Sequence, residues 1–251
     1  ISFFFSLAAN KSVLNKKITI DFNALLSQDG CSKYVFILFY VAIVYHIAHI
    51  MKAKEMNMPR HITFSGTGSK VLMVLTSNDT TLEKLTKLIF EAVYDQPYSE
   101  DGLTIIREKE NPKEATCKGG LLNAKSQDYS DIMNLKQTLL GDTSNTFSST
   151  GLQYNEIDET LEKSVMEEVN KAIQLFFDLN KKFSYVDKFD TERSKWEIVQ
   201  KWCQRDIKTY LKNGINSKKE EIEKTGSDPK IEETLFFYPF VGVLNMIAQK
   251  V

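Results

Sequence analysis

The chain has 251 residues, 42% of them hydrophobic, so it is long enough to bury one large core or two smaller ones. Its 32 Lys and Arg residues against 33 Asp and Glu residues give a net charge of -1, which excludes a broadly basic surface for nucleic acid or acidic lipid. The 3 cysteines are widely separated and lack the paired spacing of a zinc site, which indicates reduced thiols and a cytoplasmic location.

The N-terminal segment contains a short strand pattern and a long apolar stretch. Because the chain begins with Ile1 and has no basic segment before its apolar start, we expect a piece of a longer protein. Residues 16–22 alternate like a strand. Residues 35–51 carry no formal charge and approach the roughly 17–25 residues of a membrane-spanning helix. A buried central helix of an α/β layer explains the same composition, and we favour it over a membrane anchor.

The sequence HITFSGTGSK at residues 61–70 predicts a buried strand that ends in a glycine turn. Its spacing excludes three motifs: a P-loop, a nucleophile elbow and a dinucleotide-binding fingerprint. Glycines at a strand end let backbone N–H groups approach a flat or anionic ligand, and a helix that begins beneath them adds its N-terminal partial charge. The alternative is that the glycines serve only the turn.

A helix and a second strand follow. Thr80 with Glu83 three positions on predicts a capping box, and apolar residues then recur on one helical face to about Tyr94. The sequence GLTIIREKE at residues 102–110 is typical of a strand.

The turn at residues 110–122, ENPKEATCKGGLL, predicts the start of another helix. Asn111 is suited to the N-cap, Pro112 to the first helical position, and Glu114 to a bond back to the cap. Ala115 and Gly119 are four residues apart and would present a face that another backbone could approach closely. An ordinary strand-to-helix turn with small packing residues remains open.

The second half of the chain is helical in period. We predict a linker at residues 126–155, rich in Ser, Thr, Asn, Asp and Gly, and a helical region at residues 156–251. Within that region, a long amphipathic helix is expected from residue 156 to about 182, and Gly214 is expected to close a later helix as a left-handed cap. The charged run at residues 217–230 predicts a solvated turn, and the apolar C-terminal segment predicts a return to the core.

No residue pattern indicates a complete catalytic or metal site. His46 and His49 are three apart on an apolar helix, so we interpret them as core residues rather than metal ligands. His61 precedes a strand and has no carboxylate near it in sequence. We interpret the tryptophans and phenylalanines as packing residues.

The order of helix, strand with ITFSGTGSK, helix, strand with LTIIREKE and turn with NPKEATCKGG resembles the second lobe of the actin-like ATPase superfamily. That superfamily includes DnaK-type chaperones, sugar kinases and plasmid-segregating filaments. The resemblance covers residues 31–125 and implies an α/β fold: a partial actin-like (ribonuclease H-like) lobe at residues 1–125, followed by a mainly α-helical extension.

The resemblance also implies roles for the two turns. The adenosine end of an ATP site would be lined by Gly66, Thr67, Gly68, Ser69 and Lys70. The inter-lobe hinge would contain Asn111, Pro112, Glu114, Ala115 and Gly119. ATP or ADP with Mg is expected only in the full-length protein, because the family's phosphate-binding hairpins would lie upstream of Ile1. The magnesium ligands cannot be assigned, and no metal site is expected in this chain.

Three hypotheses follow for function. The leading one is the C-terminal nucleotide-binding portion of an actin-like ATPase, unable to hydrolyse ATP alone. It would bind an adenine nucleotide, and its helical extension would associate with a protein partner or with another copy. The alternatives are a non-catalytic structural or interaction module and a membrane-anchored subunit.

Overall fold

The computed structural model describes residues 30–66, 69, 71–99, 102–107, 156–203, 207–226 and 234–250. Four predicted features lie outside the described residues: the strand at 16–22, the helix start at 111–119, the linker at 126–155 and the Ser-Asp-Pro part of the break at 227–229. Those interpretations stay predictions. So does the division into regions 1–125, 126–155 and 156–251.

The elements in the described part of the chain follow one another in a simple order. They are α1 (Gly30–Ala53), β1 (His61–Phe64), α2 (Val71–Leu75), α3 (Asp79–Tyr94), β2 (Thr104–Arg107), α4 (Glu159–Phe183), α5 (Tyr185–Phe189), α6 (Arg193–Cys203), α7 (Ile207–Thr225) and α8 (Phe237–Lys250).

Helix α1 is the centre of the structure. It packs against α2, α3, α4, α6 and α8, so helices from both halves of the sequence contribute to one core. This position explains why α1 is apolar on nearly every side, because each face meets another element rather than water. By length and composition residues 33–53 could cross a membrane, and 67% of the apolar 18-residue window within them is buried inside the protein, a pattern that a core helix shares.

Strands β1 and β2 pair in parallel, with His61 opposite Thr104 and Phe64 opposite Arg107. The connection between them runs through α2 and α3. Residues of β1 alternate between exposed and half-buried, so the prediction of a buried strand is wrong although the strand itself is present. The inward-facing Phe64 packs on Tyr40 of α1, with ring centroids 6.2 Å apart.

A side chain forms a hydrogen bond with the edge of β2 that faces away from β1. The backbone N–H of Thr104 donates to the carbonyl of Arg60, so Thr104 faces β1. The N–H of Ile105 therefore points away from β1, because successive residues alternate along a strand. That N–H donates to a carboxylate oxygen of Glu83 at 3.0 Å. The prediction of a capping box at Thr80 and Glu83 is therefore wrong. The N-cap of α3 is Asn78, and the Glu83 carboxylate accepts a hydrogen bond from strand β2 instead.

The predicted α/β fold class, a partial actin-like (ribonuclease H-like) lobe, is also wrong. The described residues are 75% helical and 5% strand, so helices rather than a sheet supply their core. In the described residues the sheet has two strands, and Glu83 occupies the position that a third strand would need at Ile105.

Helix α4 confirms the long amphipathic helix predicted from residue 156. The side chain of Asp158 caps it by accepting a hydrogen bond from the backbone N–H of Leu161 at 2.7 Å. Its apolar face joins an aromatic cluster that we define as Tyr34, Phe176, Phe177, Tyr185 and Trp196. Ring centroids of contacting members lie 5.1 to 5.9 Å apart. The cluster joins α4, α5 and α6 to the start of α1, and it confirms Phe176, Phe177 and Trp196 as packing residues.

Helices α7 and α8 cross at very short distance. A Cβ added at Gly214 of α7 would lie 2.4 Å from the carbonyl oxygen of Tyr238, and one added at Gly242 of α8 would lie 2.8 Å from that of Tyr210. Each glycine thus admits the backbone of the other helix. The prediction that Gly214 forms a left-handed cap is wrong, because it lies inside α7. The charged run continues the same helix to Thr225, and Gly226 follows with φ +61°.

Candidate functional site

Of the predicted ligand turn at the end of β1, the structure describes Gly66 and Ser69, and these two residues bond each other. Gly66 has φ +81°, a conformation that favours glycine, and a Cβ added there would meet nothing within 4 Å. Ser69 donates to the Gly66 carbonyl twice, from its backbone N–H at 3.2 Å and from its hydroxyl at 2.7 Å. The hydroxyl predicted to face a ligand is therefore used within the turn.

The other residues predicted for this site lie outside the described residues. They are Thr67, Gly68 and Lys70 in the turn and Asn111, Pro112, Glu114, Ala115 and Gly119 in the hinge. The side-by-side placement of the two turns, on which the nucleotide interpretation depends, stays a prediction.

Arg107 at the end of β2 is the residue at this edge that the sequence analysis missed. Its side chain is 5% exposed and forms an ion pair with Asp79. It also donates to the backbone carbonyls of Thr76 and Ser77, each at 2.8 Å. Arg107 thus ties the segment before α3 to the end of β2. An arginine directly after the apolar pair Ile105 and Ile106 is the only sequence signal for this role.

Asp79 changes the electrostatics of this edge. The sequence analysis expected a helix N-terminus beneath the glycine turn to attract an anionic ligand. Asp79 lies in the first turn of α3, where a carboxylate interacts favourably with the helix dipole, and it also neutralises Arg107. The protein's own carboxylate therefore provides the negative charge that the helix end and the guanidinium favour.

The two histidines of α1 pack against aromatic rings, but both are half-buried at the edge of the core rather than core residues as predicted. His46 lies 5.0 Å from Phe237 and His49 lies 4.3 Å from Tyr45, measured between ring centroids. Among the described residues no group of three His, Cys, Asp or Glu side chains could hold a metal ion. The thiol of Cys203 is buried, which raises its pKa to about 12 and keeps it protonated at neutral pH.

A polar network next to His49 joins α1 to α4. The hydroxyl of Tyr45 donates to a carboxylate oxygen of Glu168 at 3.0 Å, and Lys171 binds the other oxygen at 2.6 Å. Burial lowers the pKa of His49 below its ordinary value; Glu168 opposes this shift, whereas Lys52 and Lys171 add to it. His49 is therefore held neutral in the folded protein at pH values where the unfolded chain binds a proton.

This shift predicts a loss of stability in mild acid. A histidine with a lowered folded-state pKa contributes full stability above its unfolded pKa of about 6.5, and the contribution falls as the pH decreases below that value. We expect the free energy of unfolding, measured with urea between pH 7.5 and pH 5, to fall less steeply in His49→Gln than in wild type. Equal slopes for His49→Gln and wild type would contradict the assignment.

A surface groove between α7 and α8 is the second candidate site. Its volume of about 610 Å³ lies within the ~300–1,000 Å³ typical of ligand sites. Its walls include Tyr210, Asn213, Ser217, Glu221, Val241 and Asn245. Val241 is 52% exposed, although most large apolar side chains of α8 are buried. No local sequence signal marks this groove, because its walls come from two helices that meet only in the folded protein.

Comparison of the chain with models of protein families, with curated proteins and with solved structures gives no match. The function must therefore be argued from the residues and their contacts.

Proposed function

We propose that this chain is a non-catalytic interaction module whose helical region associates with another polypeptide. The supporting observation is the self-contained bonding at the carboxyl ends of β1 and β2. There the Ser69 hydroxyl bonds Gly66, and Arg107 bonds Asp79, Thr76 and Ser77. The Ser69 hydroxyl and the Arg107 guanidinium, which a ligand would have to bind, already form hydrogen bonds within the fold. The α7–α8 groove, in contrast, presents polar and apolar side chains to solvent. A cytoplasmic location belongs to the same proposal.

The proposal competes with the nucleotide-binding function, and a titration separates them. At about a hundred times its dissociation constant a ligand adds about 2.7 kcal/mol to the free energy of unfolding. We expect ATP with Mg²⁺ at millimolar concentration to leave the melting temperature of the protein unchanged. A rise that disappears in Gly66→Val would overturn the proposal, because Val at φ +81° would distort the glycine turn.

A further inference from the structure

We draw no further inference here: the strongest candidate, the surface groove between α7 and α8, carries none because nothing in the described part of the chain shows what covers it.

Discussion

Replacing Phe176 by alanine should lower the free energy of unfolding by about 3–5 kcal/mol, the cost typical of removing a fully buried phenylalanine ring. Phe176 is 0% exposed and contacts the rings of Phe177, Tyr185 and Trp196. The cavity would lie where α4, α5 and α6 meet, and neighbouring rings that hold one another in place cannot collapse to fill it. Urea unfolding followed by circular dichroism measures the effect.

The matched control is the preceding residue of the same helix. Leu175 is half-buried at the edge of the core, so Leu175→Ala should cost clearly less than Phe176→Ala. Equal costs for the two variants, or a Phe176→Ala cost below about 1 kcal/mol, would show that the aromatic cluster does not pack as described.

Replacing Gly214 by alanine should destabilise the protein, although the same change inside an ordinary helix stabilises it by about 1 kcal/mol. The added methyl would lie 2.4 Å from the carbonyl oxygen of Tyr238 and 2.9 Å from its carbonyl carbon. Both contacts are with backbone, so the helices must move apart rather than adjust a side chain. We expect a net loss of about 1–3 kcal/mol, as for overpacked cores.

The direction of the change in stability distinguishes close packing of the two helices from the effect of helix propensity. Asn216→Ala, exposed on the same helix, should raise stability by a few tenths of a kcal/mol through helix propensity alone. Gly242→Ala, on the opposite side of the crossing, should destabilise like Gly214→Ala, because its methyl meets the Tyr210 carbonyl oxygen at 2.8 Å. Thermal unfolding of the three variants separates the cases, and stabilisation by Gly214→Ala would disprove the close crossing.

Helices with a clear apolar period were predictable from the sequence. The apolar spacing of Val165, Val169 and Ile173 predicted α4, and all three residues are buried. The period that ends near Tyr94 likewise predicted α3, which runs to that residue. Such patterns are local, so neighbouring residues are enough to identify the buried face. The capping box at Thr80 failed because Glu83 had a better partner elsewhere, the Ile105 N–H, 22 residues away.

The candidate site was less predictable than the helices. The sequence correctly identified a glycine turn after β1, because a strand followed by glycines is a local signal. It did not indicate that the Ser69 hydroxyl would bond Gly66 within that turn. It also missed Arg107, since this residue acquires its role from hydrogen bonds to Thr76 and Ser77 in a distant part of the chain.

The sequence by itself determined that α1 would be an apolar helix and that the described residues after 156 would be mainly helical, because both depend on composition and period within one segment. Only the tertiary structure decided that the described sheet ends at β2, where the Glu83 carboxylate takes the outward N–H of Ile105. It also decided that Gly214 accommodates a neighbouring helix instead of ending its own. A glycine can occur in a turn, at a helix cap or at a close helix crossing. Gly214 lies at a close crossing because the packing of α8 on α7 places the Tyr238 carbonyl against it.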